Sequence, residues 1–220
     1  MNGQPDRSIT SVNEEAEEVL GFWFPNDGEP VTGQQFKWWM GGGADTEVLA
    51  RFPPLLERAE RGELASWSGT PRSRLALIII LDQFSRTIHR GTARAFAQDP
   101  LALSLVLEGI NIGHYSALAT PWEKTFFLIP IGHCEDLTSH QVSVRLAEAL
   151  VEEAPPELRE VLEFSASQAR GHRDVIVRFG RHPHRNAVLG RESTPAELEY
   201  LATGRLVHTR SMEDWQRGQS

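Results

Sequence analysis

Cysteine is nearly missing from this 220-residue chain: Cys134 stands alone. No disulfide can form within one copy, which points to a reducing, cytoplasmic setting. Long apolar runs are missing too. The longest is Leu75 to Leu81, far short of the roughly 20 residues that a membrane-spanning helix needs. It reads as a buried core helix. The N-terminus, MNGQPDRSITSVNEEAEEVL, lacks a basic start followed by an apolar stretch, so it does not read as a signal peptide. Positive charge is in deficit. The net charge of −8 disfavours nucleic acid and anionic membranes as partners. No segment alternates apolar and polar residues between hairpin turns, so no strand is assigned. A P-loop, a dinucleotide fingerprint and a nucleophile elbow are all absent.

What is present is helix punctuation. Thr70-Pro71, Asp99-Pro100, Thr120-Pro121 and Thr194-Pro195 each offer a side-chain acceptor at the N-cap and a proline at the first helical position. Thr120 with Glu123, Thr194 with Glu197 and Ser11 with Glu14 form capping boxes. Gly62, Gly113, Gly180 and Gly204 supply the stops. These signals predict helices at about 12–23, 33–40, 45–61, 71–88, 100–112, 121–129, 134–153, 156–179 and 195–203, with Pro53-Pro54 breaking or kinking the third. The fold class is all-α, built of antiparallel helix pairs with short connections. One domain is expected over 11–208, with flexible ends at 1–10 and 209–220. Leu75, Ile78, Ile79, Leu81, Phe84, Leu103, Phe126, Phe127, Leu162 and Ile176 form the expected core, and the six tryptophans read as packing anchors.

Four polar anomalies stand against this background. The segment 178–191 holds Arg178, Arg181, Arg185, Arg191, His182 and His184 and no acid, so it carries +4 while the rest of the chain carries −12. Guanidinium forks suit phosphate or carboxylate, and equally they staple a loop to acidic helix faces. Asp82 follows the apolar run on the stripe of Leu75 and Ile79. A buried carboxylate needs a partner, and Arg86 is available at i+4. His133, Cys134, Glu135 and Asp136 fall at a helix start, where one acid serves as a cap and the others are left to explain. His172 lies on the inward stripe of the long helix with Gln168 and Val175, beside Asp174, which sits between Arg170 and Arg178. His133, His172, His182 and His184 could ligate a metal with Glu135, but no pair has the helical i, i+3 or i, i+4 spacing. No metal and no cofactor are therefore expected. Asp82, Glu135, His172 and Arg181 each lack a sufficient partner nearby in sequence, so one shared pocket is predicted for them.

The same residues resemble the bacterial "domain of unknown function 924" family. Its pattern is carried by Leu81-Asp82-Gln83-Phe84 with Arg86, Arg90-Gly91-Thr92, Arg94-Ala95-Phe96-Ala97, His133 with Glu135-Asp136, His172-Arg173, Arg178-Phe179-Gly180-Arg181, Pro183-His184-Arg185-Asn186 and Leu189-Gly190-Arg191. Val19-Leu20-Gly21-Phe22-Trp23-Phe24 resembles its opening, and the likeness spans about 15–205. It implies an all-helical fold similar to tetratricopeptide-like arrays and implies no activity. Ser85, His89, Cys134 and His182 depart from the family pattern, which argues against essential roles for Cys134 and His182.

Two functions remain open. The first is a binding module whose Arg86, Arg178, Arg181, His184 and Arg185 hold an anionic small molecule or peptide group. The second is an enzyme in which His133 or His172 acts as acid or base, oriented by Glu135 or Asp82, on a phosphate- or carboxylate-bearing substrate. Oligomeric state is not legible.

Overall fold

The computed structural model describes residues 7–24 and 33–218. Helix accounts for most of the described residues, and no strand occurs among them. In chain order the helices are α1 (Arg7–Trp23), α2 (Gly33–Met40), α3 (Asp45–Arg51), α4 (Pro53–Glu60), α5 (Pro71–Ile79), α6 (Ser85–Ile88), α7 (Asp99–Asn111), α8 (Pro121–His133), α9 (Leu137–Glu153), α10 (Pro156–Phe179), α11 (Pro195–Ala202) and α12 (Met212–Arg217). The chain divides into two compact units. The first holds the described residues up to Arg90 together with Arg94–Pro130, and the second holds Gly91–Ala93 and those from Ile131 onward.

In the first unit, α1 buries Ala16, Val19, Leu20 and Trp23 on one face and packs against α5. Every residue of the run Leu75–Leu81 is buried, so α5 is wrapped on all sides. That is why it lacks an apolar stripe: a helix with neighbours all round gains from apolar side chains in every direction. Trp23, Phe52 and Phe126 gather around it, with Phe84 4.6 Å from Phe52 and Trp23 5.5 Å from Phe126. Arg74, on the first turns of α5, is 1% exposed. Its fork reaches the Leu105 carbonyl and the Glu108 carboxylate at 2.9 Å each, and the Ser68 carbonyl at 2.7 Å. Gly109 makes this possible: a β-carbon there would meet Phe127 at 2.6 Å and Arg74 at 2.8 Å.

The second unit is built on the α9–α10 hairpin. Only Ala154 and Pro155 link the two helices, and a connection that short requires them to run antiparallel. α10 stops at Gly180, whose left-handed φ of 68° lets its N–H reach the Ile176 carbonyl; a side chain there would strain that turn. Thr194 and Glu197 form the capping box that starts α11.

Several boundaries differ from expectation. α1 begins at Arg7, so 7–10 are helical and Ser11 lies inside the helix, while 1–6 lie outside the described residues. A cap signal worth about 1 kcal/mol does not prevent upstream residues from joining a helix. Gln98, not Asp99, stands at the N-cap of α7 and makes no side-chain capping bond; the Asp99 carboxylate is held by Arg86 at 2.9 Å. α8 runs through Pro130, forgoing only the one hydrogen bond that proline cannot donate. α9 starts at Leu137, with Asp136 as its N-cap accepting from the Ser139 amide at 2.8 Å. The tail expected to be flexible from 209 contains α12, which starts at a Ser211–Asp214 capping box and sets Trp215 5.9 Å from Phe164 of α10. Leu103 is only half-buried; Ala102, Leu105 and Val106 carry the buried face of α7. Among the described residues no helix is long and apolar enough to cross a membrane.

Candidate functional site

The first unit buries Asp82 in a π-turn, Ile80–Phe84, that interrupts the helix between α5 and α6. The Ser85 amide there bonds back to the Ile80 carbonyl. Such wide turns cost hydrogen-bond geometry and recur at functional positions. Asp82 is 1% exposed, and Arg86 one turn on reaches its carboxylate and its carbonyl at 3.0 Å each. Gln83 donates to its other oxygen. The remaining charges here are also matched: Arg86 with Asp99 at 2.9 Å, Arg90 with Asp45 at 2.7 Å and Arg94 with Glu60 at 3.0 Å.

The second unit holds a different kind of cluster. His133 ends α8, His140 lies on the inner face of α9 and His172 on that of α10. His182 and His184 follow the Gly180 turn, and His208 sits on the short 3₁₀ turn Val207–Thr209. Ring centroids step from His133 to His172 at 6.5 Å, to His182 at 5.7 Å and to His184 at 5.5 Å. His184 stacks on His208 at 3.7 Å, and His140 lies 6.2 Å from His182.

Hydrogen bonding fixes two of the tautomers. The Cys134 carbonyl is 3.0 Å from His140 Nε2 and 3.1 Å from His182 Nε2. A carbonyl only accepts, so both rings carry their proton on Nε2 and leave Nδ1 as a bare acceptor. The Nδ1 atoms of His140 and His182 are buried and meet no donor, and Nδ1 of His172 is in the same position. Burial, first of all, holds the His172 imidazole well below its usual pKa, and His133, His140, His208 and His184 add to the effect. Burial followed by the Arg185 charge lowers His182 steeply, and the same two causes lower His208. Burial therefore disfavours the charged form of His140, His172, His182 and His208. Arg185, 5% exposed, is a buried cation close enough to His182 and His208 to act on both.

The acids of this unit are committed elsewhere. Arg191 grips Glu135 with two hydrogen bonds of 2.8 and 3.0 Å, and the His182 amide donates to the same carboxylate at 2.8 Å. Burial pushes the Glu135 carboxyl up, but these donors outweigh it and hold it below the usual range. Arg181 grips Glu197 at 2.6 and 2.8 Å and reaches the Glu192 carbonyl at 2.8 Å. That pairing holds Glu197 down to about 2. Arg178 lies over the Phe179 ring at 4.7 Å.

Of the residues predicted to share one pocket, Glu135, His172 and Arg181 lie in the second unit and Asp82 in the first. Asp82 finds its partner at i+4, Glu135 turns to Arg191, and Arg181 to Glu197. His172, with no acid bonded to its ring, is grouped with histidines. His140 and His208 were not singled out in the sequence. The signal for His140 was legible, because it shares a helical stripe with Val144 and Ala147, all buried. His208 lies in a three-residue turn and gave none. His182, set aside as a departure from the family pattern, is 0% exposed and central. Among the described residues no group of three His, Cys, Asp or Glu side chains could hold a metal ion.

An all-helical protein with a desolvated histidine cluster beside a buried arginine is the class these observations define. The chain belongs to the family described as bacterial protein of unknown function (DUF924), whose model matches residues 19–205. It is similar to a solved structure of a protein of unknown function from Agrobacterium tumefaciens, 34% identical to it. That match covers 86% of this chain and 98% of the other at a TM-score of 0.72. No curated protein matches the chain.

Proposed function

We propose that the second unit binds a small molecule or peptide group through an anionic moiety, a phosphate or carboxylate, seated at the histidine cluster beside Arg185. The observation that supports this most is His172. Its Nδ1 is buried without a partner, and leaving a buried polar atom unsatisfied costs about 1–3 kcal/mol. A ligand that supplies a donor, or an anion that lets the ring take up a proton, removes that cost. Arg185 supplies fixed positive charge, and the rings can add more once an anion compensates them. Binding is then accompanied by proton uptake.

The acid–base enzyme is the weaker reading on this geometry. Glu135, one of the two carboxylates considered for orienting His133 or His172, has its oxygens taken by Arg191 and the His182 amide. The α9–α10 hairpin is compatible with a likeness to tetratricopeptide-like helix pairs, which bind ligands on the inner helix faces.

Calorimetric titration with inorganic phosphate and with citrate tests the proposal, at pH 6 and pH 8, on the wild type and on His172→Gln. Tighter binding at pH 6, a heat that varies with buffer ionisation enthalpy, and loss of both in a folded His172→Gln are expected. Absence of binding by the wild type at either pH defeats it.

A further inference from the structure

A cleft in the same unit is lined by none of the clustered histidines. It encloses about 680 Å³ between the last turns of α10 and the segment from Tyr200 to Gly218, within the usual range of roughly 300–1,000 Å³ for small-molecule sites. Arg178, Arg205, Arg210 and Arg217 line it together with Asp174 and Asp214. The two acids are already used: Asp174 by Arg173 at 2.7 Å, and Asp214 by Arg217 and by its capping of Ser211. Arg178, Arg205 and Arg210 have no carboxylate partner among the described residues.

Arg210 is the most telling of the three. It is half-buried, and its fork is received by neutral acceptors alone. Nε and Nη2 donate to Gln168 Oε1 at 2.9 and 2.6 Å, and Nη2 to Ser167 Oγ at 2.9 Å. Burial lowers its pKa, with the Arg170 charge adding to the effect. A desolvated guanidinium without a counter-charge is costly unless an anion completes it. Nη1 remains to meet one. Arg178 lies over two rings, 4.7 Å from Phe179 and 6.0 Å from Tyr200, which are themselves 5.1 Å apart. Its charge is thus held over an aromatic platform rather than spent on a carboxylate.

The cleft is shaped by close approach rather than by chance looseness. A β-carbon on Gly171 would meet Val207 Cγ2 at 2.6 Å, so only glycine lets the segment around Val207 settle on α10. Gln168 Nε2 donates to the Val207 carbonyl at 3.1 Å, which fastens the same contact. The family model ends at residue 205, and the cleft is assembled from residues on both sides of that point.

We propose that this cleft binds a small molecule carrying a phosphate or carboxylate next to an aromatic body, the anion between Arg178 and Arg210 and the ring on the Phe179–Tyr200 platform. Phenyl phosphate, benzoate and inorganic phosphate are the probes, titrated calorimetrically against the full chain. Phenyl phosphate or benzoate should bind at least tenfold more tightly than inorganic phosphate, and which of the two is tighter identifies the anion. Arg178→Gln, at an exposed position, should weaken that binding at least tenfold without loss of melting temperature. Arg210→Gln should do the same, and Tyr200→Leu should remove the preference for the aromatic probes. His172→Gln should leave it intact, which separates this site from the histidine cluster. Equal binding of aromatic and inorganic anions, or binding unchanged by Arg178→Gln, overturns the proposal. So does aromatic-anion binding that disappears in His172→Gln instead.

Discussion

Asp82 and His172 are both polar side chains on central helices, and their surroundings are opposites. Around Asp82 each charge has been met: Arg86 and Gln83 take its oxygens, and Asp99 takes the other side of Arg86. Around His172 the buried Nδ1 meets no donor, and Nδ1 of the neighbouring His182 is in the same position. A satisfied cluster of charges rigidifies a core. An unsatisfied one is tolerated only when something outside the chain completes it, or when its cost serves another end. That contrast is the ground on which binding is proposed for the second region and not for the first.

The sharpest way to break that contrast is Asp82→Ala. It leaves the partly buried Arg86 with only Asp99, and the expected loss is about 2–4 kcal/mol, the scale for removing one partner of a buried pair. Urea unfolding measures it. A loss below about 0.5 kcal/mol, the level of an ordinary surface change, would show that the charges around Asp82 are no more structural than the histidines.

A second effect is read from pH. The folded pKa values of His140, His172, His182 and His208 are lowered, so the unfolded chain binds more protons below its own histidine pKa of about 6.5. Their contribution is present above that pH and falls away as pH drops, by up to about 1.4 kcal/mol per pH unit for each ring. The carboxylates behave separately: Glu197 and Asp214 are held to about 2, so their support persists until pH falls below about 4. Melting temperature should therefore decline between pH 6.5 and 4.5 from the histidines alone, and saturating phosphate should flatten that limb. A flat profile without anion would contradict the lowered histidine values.

The smallest effect belongs to His172→Leu. Replacing an unsatisfied buried polar ring with a hydrocarbon should leave stability within about 0.5 kcal/mol or raise it. A loss of several kcal/mol would place His172 among the structural groups with Asp82.

Much of the fold was legible because its signals are local. Thr70, Thr120 and Thr194 cap the helices they precede, Gly180 ends α10, and the chain breaks at Phe52 before Pro53-Pro54. The π-turn was not legible, since it preserves the same residues in nearly the same helix and differs only in which carbonyl each amide chooses. α12 was missed for a related reason. Its Ser211–Asp214 box is short, and its anchoring depends on Trp215 meeting Phe164 across a long stretch of sequence. In the candidate site, Arg181 and Glu135 could be singled out as unusual, but charge pattern does not say which acid an arginine will choose.

Composition, caps and stops, all short-range properties of the chain, by themselves determined an all-α protein without disulfides, with a buried helix from Pro71 and a basic segment after Gly180. Which polar groups would be paired and which left waiting was decided only in three dimensions. Partners such as Arg191 and Glu135 lie 56 positions apart, and burial, which turns an ordinary histidine into a neutral one, exists only once α9, α10 and the turns that follow have closed around it.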